Sequence, residues 1–150
     1  MECEAIGFVV RDEALREVKG KEEVFEEGEL LRTRRAVIRL KEGYCEGLDG
    51  IRRGSLIWVI WYAHLVRDRP IKVRPFMDER FPILGVFATR SPARPNPIGL
   101  SLCYVVETRD CELVVLGLDA VNGTPVLDLK IYSNGLDDPK ELLKLVRPLN

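Results

Sequence analysis

Several features that would settle a function quickly are missing from this sequence. Its 150 residues contain one histidine, His64, and four cysteines, Cys3, Cys45, Cys103 and Cys111. The cysteines form no C-x-x-C pair and no metal-like cluster, so no metal site is expected. No G-x-G-x-x-G run follows the first apolar stretch, which excludes the phosphate-binding turn of a Rossmann domain. The longest strongly apolar segment, SLIWVIWYAHLV (55–66), is short of the roughly 20 residues that span a bilayer. MECEAIGFVV at the N-terminus lacks the basic flank and apolar run of a secretory signal. A soluble cytoplasmic protein with no membrane partner is expected. Its scattered cysteines are then expected to be reduced packing thiols. The formal net charge is only -1, so bulk charge does not announce a nucleic-acid binder. Internal repeats and low-complexity tracts are absent too.

What is there fits one domain. Hydrophobic residues make up 46% of the chain, enough for a single sizeable core over 1–150. Charge is unevenly placed: RDEALREVKGKEEVFEEGEL (11–30) is net acidic, and the stretch from 67 to 94 leans basic. A surface polarised in this way suits an anionic partner.

Most of the apolar sequence reads as strand. EAIGFVVR (4–11) opens with a partly β-branched run, and RTRRAVIRL (32–40) alternates Ala36, Ile38 and Leu40 with Arg35 and Arg39. The block Trp58, Val59, Ile60, Trp61 and Tyr62 suits a central strand covered on both faces. GLSLCYVVET (99–108), CELVVLGLDAV (111–121) and PVLDLKIYS (125–133) are joined by Arg109-Asp110 and Asn122-Gly123. That spacing predicts an antiparallel meander, with Asn-Gly as its second hairpin turn. Helix is scarce. DPKELLKLVRPL (138–149) carries a capping Asp138, Pro139 at the first helical position, a capping-box Glu141, and Leu142, Leu143 and Val146 along one side. DEALREVKGKEEVF (12–25) reads as either a helix or an acidic loop. The expected fold is mainly β: a small single-domain β-barrel or strongly curved antiparallel sheet with one or two short helices, not Rossmann.

The segment ATRSPARPNPIGLS (88–101) is unlike an ordinary loop. Pro92, Pro95 and Pro97 fix their own φ and restrict Ser91, Arg94 and Asn96 before them. Such a loop is preorganised and loses little entropy on binding. Because prolines withhold backbone donors, Arg90, Arg94 and Asn96 must supply much of its polar chemistry. Arginine pairs suit phosphate or carboxylate. A rigid crossover whose arginines bind neighbouring acids accounts for the same residues.

GVFATRSPARPNPIGLS (85–101) closely resembles the signature of the TsaA-like family, the S-adenosylmethionine-dependent tRNA methyltransferases of the TrmO type. IWVIWYAHL (57–65) is similar to that family's aromatic strand ending in histidine. LGLDAVNGTPVLDLKIY (116–132) is similar to its Leu-Asp, Gly-Thr-Pro and Asp-Ile-Lys-Pro-Tyr elements in order. The resemblance implies a barrel that binds S-adenosylmethionine at a homodimer interface and methylates N6 of threonylcarbamoyl-adenosine beside the tRNA anticodon. It implies cofactor contacts at His64, Leu65, Arg90, Leu100, Leu116, Gly117, Leu118 and Asp119.

Methyl transfer is an in-line displacement, so alignment dominates. An acceptor for the amine N–H raises its electron density, and Asp119, Asp128 and Asn96 are the candidates. Arg94, Asn96, Lys130 and Tyr132 are candidate substrate contacts, joined by Arg67, Arg69, Lys72 and Arg74 as phosphate ligands. Each has a plainer reading: His64, Trp58 and Trp61 as packing residues, Asp119 or Asp128 paired with Lys130 or Arg90, Tyr132 closing the barrel, Gly123 and Thr124 as turn residues.

The match departs in places. The family's bacterial members carry a C-terminal domain implicated in tRNA binding, and this sequence stops at Asn150. Asn122 stands where the family has aspartate, and Ile131 where it has proline. Its Pro-Arg-Gln-Pro-like segment has no counterpart, the acidic stretch Glu17 to Glu29 lying in its place. These departures keep two alternatives open: an S-adenosylmethionine-binding module or sensor without tRNA methylation, and a methyltransferase with a different acceptor.

Overall fold

The computed structural model describes residues 1–11 and 28–149. The candidate helix at 12–25 lies outside them. Eight strands follow in chain order: β1 (Gly7–Val10), β2 (Ala36–Leu40), β3 (Leu56–Tyr62), β4 (Lys72–Val73), β5 (Leu84–Gly85), β6 (Ile98–Arg109), β7 (Glu112–Leu116) and β8 (Pro125–Ile131). Six of them close a barrel in the order β1-β2-β7-β6-β3-β8, and β4 pairs with β5 apart from it. Every barrel pair is antiparallel. Closure leaves the barrel no free edge.

Alternation fills the interior. Ala36, Ile38 and Leu40 of β2 point inward, as their spacing predicts, beside Val9, Ile57, Val59, Cys103, Val105, Leu113, Val115 and Val126. Leu118 and Ala120 complete this core from the chain beyond β7.

Four expectations are corrected. The aromatic strand β3 is central, flanked by β6 and β8, but only its Ile57 and Val59 face is sealed. Leu56 is exposed at 40% and Trp58 and Ile60 are half-buried, because a barrel wall has an inside and an outside.

The meander forms only in its first half. β6 and β7 pair, whereas β8 inserts between β3 and β1. β7 ends at Leu116, because Gly117 takes φ +99 and turns the chain inward. Asn122-Gly123 is a turn, but it leads back to β1: the Gly123 N–H donates to the Val9 carbonyl at 2.7 Å.

Cys45 and Cys111 are joined in a disulfide, 66 residues apart in sequence, leaving Cys3 and Cys103 as the free thiols. Folding brings the turn after β2 against the start of β7, a proximity that spacing alone does not reveal. This bond ties the far end of the barrel, near the β6–β7 turn.

The terminal helix runs Pro139–Val146, with the Asp138 carboxylate accepting from the Lys140 N–H at 2.9 Å. Glu141 pairs with Lys144 rather than completing a capping box. Leu142 and Leu143 remain exposed, as the helix packs little against the barrel. Among the described residues, no helix is long and apolar enough to cross a membrane.

Candidate functional site

β3 and β6 place the site. Their register sets Tyr62 opposite Ile98, Trp61 opposite Gly99 and Ile60 opposite Leu100. The last residues of the aromatic strand therefore lie beside the first residues after the proline loop. The Ala63 N–H donates to the Pro97 carbonyl at 2.7 Å, which carries the pairing one step into the loop. His64 follows directly, at the mouth of the barrel.

His64 is half-buried, and its Nδ1 is buried without a hydrogen-bond partner. Burying a polar atom unpaired is costly, so Nδ1 leaves hydrogen-bonding capacity open at the barrel mouth. Its Nε2 would lie 4.0 Å from a Cβ on Gly123, which brings the Asn122-Gly123 turn to the same end.

The proline loop is held by its own polar groups. Thr89 Oγ1 donates to the Val86 carbonyl at 2.8 Å, and Arg94 Nη1 donates to the carbonyls of Thr89 at 3.2 Å and Ser91 at 3.1 Å. Arg94 is thus partly spent on the loop itself. Arg90 Nη2 donates to the Leu100 carbonyl, tying together two of the residues expected to contact cofactor. Asn96 is exposed, and its carbonyl accepts from the Ile98 N–H at 2.7 Å.

The chain beyond β7 supplies the other wall. A Cβ on Gly117 would stand 2.7 Å from the Leu102 carbonyl oxygen, so glycine is required there for closeness as well as for φ. Leu118 is fully buried and Asp119 is exposed. Asp119 Oδ1 accepts from Ser101 Oγ at 2.6 Å, and Ser101 Oγ accepts from Trp61 Nε1 at 3.0 Å. Arg11, only 7% exposed, fixes this wall from behind. Its Nε donates to the Ala120 carbonyl at 2.8 Å, its Nη2 to the Leu118 carbonyl, and its backbone N–H to Asn122 Oδ1 at 2.8 Å. Asn122, which departs from the family's aspartate, therefore holds backbone. Beneath the wall, burial first and the Asp119 carboxylate second push the Cys103 thiol up to about 12. It stays protonated and inert.

One end of the barrel thus gathers His64, Arg90, Leu100, Leu118 and Asp119. Leu65 is exposed beside His64, and Leu116 is half-buried where β7 ends. Asp128, Lys130 and Tyr132 lie across β3 from β6, on β8 and just beyond it. Asp128 pairs with Lys130 at 3.2 Å on the outer face, opposite Ile60 and Trp58. The Tyr132 N–H donates to the Leu56 carbonyl, at the opposite end of β3 from His64. Sequence reasoning missed Arg11, Ser101 and the polar role of Trp61. Ser101 closes the proline motif, yet a serine in a strand carries no signal until its neighbours are known.

A family model described as the tRNA-methyltransferase O N-terminal domain matches residues 16–138. The chain belongs to the TrmO family. A probable S-adenosyl-L-methionine-binding protein of Methanocaldococcus jannaschii is 39% identical over 108 residues, 69% of this chain and 86% of that protein. The human tRNA (adenine(37)-N6)-methyltransferase is 31% identical over 123 residues, 80% of this chain and 27% of the human protein. The crystal structure of TrmO from Pseudomonas aeruginosa superposes with a TM-score of 0.66 at 26% identity, covering 92% of this chain. The chain spans 58% of that solved TrmO chain. The TrmO match confirms the mainly β, non-Rossmann reading of the sequence.

Proposed function

We propose that this chain binds S-adenosylmethionine where His64, Arg90, Leu100 and Asp119 meet, and is a methyltransferase for N6 of a tRNA adenine, threonylcarbamoyl-adenosine beside the anticodon, in the cytoplasm. The observation that carries the reading is the gathering of those groups at one barrel mouth. Their chemistry fits the cofactor. Nδ1 of His64 is a buried polar atom without a partner, and Asp119 offers an exposed carboxylate to O–H and N–H donors.

Bound there, S-adenosylmethionine supplies an electrophilic methyl group. The protein's task is alignment. Arg90 and its Leu100 carbonyl partner fix the loop against β6, and the remaining guanidinium N–H groups of this exposed side chain suit a carboxylate or phosphate. Asn96 presents an amide from a restricted, exposed position, where its oxygen accepts an N–H of the adenine amine. Asp128 is the weakest of the three acceptor candidates, since Lys130 already engages it on the outer face.

An anticodon loop offers unpaired bases, so no helix has to open. The basic segment after β3 supplies its phosphate contacts. Arg67 and Lys72 are exposed there, whereas Arg69 and Arg74 donate to backbone carbonyls. tRNA affinity therefore falls steeply with salt. A salt-insensitive affinity would refute this contact surface.

A second copy covers the outer face of β3 and β6. Leu56, Ile98, Leu100, Leu102 and Tyr104 are exposed there at 40–45%, a contiguous apolar strip on one side of the strand pair. Leu102→Glu is expected to leave a monomer by light scattering.

Several archaeal relatives are named only as probable S-adenosyl-L-methionine-binding proteins, which favours a second reading, a cofactor-binding module without tRNA chemistry. Single-turnover transfer of labelled methyl from S-adenosylmethionine to tRNA lacking the modification separates the two. Label in methylated threonylcarbamoyl-adenosine, lost in Arg90→Ala, supports the enzyme. Binding without transfer supports the module or a different acceptor.

A further inference from the structure

The Asp119 carboxylate is held by a polar chain that starts inside the barrel wall. Trp61 Nε1 donates to Ser101 Oγ at 3.0 Å, and Ser101 Oγ donates to Asp119 Oδ1 at 2.6 Å. The direction of both bonds is forced. An indole N–H only donates and a carboxylate only accepts, so the single hydroxyl proton of Ser101 has one place to go. Ser101 is 6% exposed, whereas Asp119 is exposed. The middle of the relay is therefore buried, Trp61 behind it is half-buried, and the Asp119 end opens at the site.

The strands explain why these residues meet. Trp61 stands opposite Gly99 on β6, and Ser101 lies two residues further along the same inner face. A Cβ on Gly99 would fall 2.1 Å from Trp61 Cε2, so the glycine leaves room for the indole to lie across β6 and reach Ser101. Asp119 arrives from the other wall, on a segment whose carbonyls on either side, Leu118 and Ala120, are held by Arg11. One oxygen of Asp119 is thereby fixed, and among the described residues Oδ2 has no hydrogen-bond partner.

We propose that Ser101 and Trp61 are positioning residues: they hold Asp119 through Oδ1 so that Oδ2 accepts an O–H or N–H donor of the bound nucleoside cofactor. This rests on the cofactor reading above. A carboxylate fixed on one side and open on the other needs no reordering when the donor arrives, which is the structural content of preorganisation. Loss of a hydrogen bond to a charged group is worth about tenfold or more in affinity.

The test combines two readouts. The chain has two tryptophans, so its indole N–H region holds two resonances, and Trp61→Phe assigns one. The relay predicts that Asp119→Ala shifts the Trp61 indole resonance, and that the same substitution in a Ser101→Ala background does not. A shift of equal size in both backgrounds would overturn the relay, since Asp119 would then act on Trp61 by another route.

Calorimetry with S-adenosylmethionine supplies the second readout. Ser101→Ala is expected to weaken binding about tenfold. Trp61→Phe should weaken it less, and Ser101→Ala with Asp119→Ala should weaken it no more than Asp119→Ala alone. Additive losses would overturn the positioning role. Wild-type chain that binds no S-adenosylmethionine, with the indole coupling intact, would overturn the cofactor assignment and leave the relay standing.

Discussion

Trp61 covers Gly99 so closely that a methyl group placed there would lie 2.1 Å from Cε2 and 2.3 Å from Cζ2 of the indole. The contact joins the aromatic strand to the strand that leaves the proline loop, and it sets where the indole N–H points. Gly→Ala in a strand ordinarily gains about 0.5–1 kcal/mol. Here overpacking wins, and Gly99→Ala is expected to cost about 1–3 kcal/mol net. A urea midpoint equal to or above wild type would show that the indole swings aside freely.

The Cys45–Cys111 bond closes a long loop, its ends 66 positions apart in sequence. Loop-closure entropy puts its contribution at about 4 kcal/mol. Cys45→Ser should lower the thermal midpoint markedly, as should reduction of the wild type. In denaturant, unreduced protein should show only the thiols of Cys3 and Cys103. Four reactive thiols without reductant would rule the bond out.

Cys103 gives stability an alkaline limb. Its thiol is pushed from 9.0 to about 12 by burial and by Asp119, so the folded chain keeps a proton that the unfolded chain loses. Stability from this group is intact below pH 9 and declines above it by up to about 1.4 kcal/mol per pH unit, until the folded thiol itself ionises. Cys103→Val should flatten the decline between pH 9 and 11. Parallel curves for the two proteins would show that Cys103 contributes nothing to it.

Arg11 anchors the segment that carries Asp119. Arg11→Met leaves the carbonyls of Leu118 and Ala120 without their donor, and each unsatisfied group costs about 1–3 kcal/mol. Arg11→Lys should recover only part of this loss, because one ammonium cannot fork to several carbonyls. Both variants should also weaken S-adenosylmethionine binding. Stability loss with cofactor affinity unchanged would mean that the segment does not shape the site.

Much was legible in the residues. Alternation of Ala36, Ile38 and Leu40 identified an inward face, because a strand in a barrel wall repeats every two residues. The proline loop, its arginine and the histidine after the aromatic strand stood out because rare residues are crowded at specific spacings. Asp138 and Pro139 marked a helix start, since capping is a local interaction.

What only the tertiary structure decided depends on pairs distant in sequence. β8 lies against β1 and β3 because closing the barrel needs its strand between them, and no turn motif encodes that choice. Cys45 met Cys111, Arg11 met Leu118, and Ser101 met Asp119 by the same closure. A sequence records which groups are available for hydrogen bonds and packing. Which of them are buried, and so must find one another, is set when the sheet closes and excludes water.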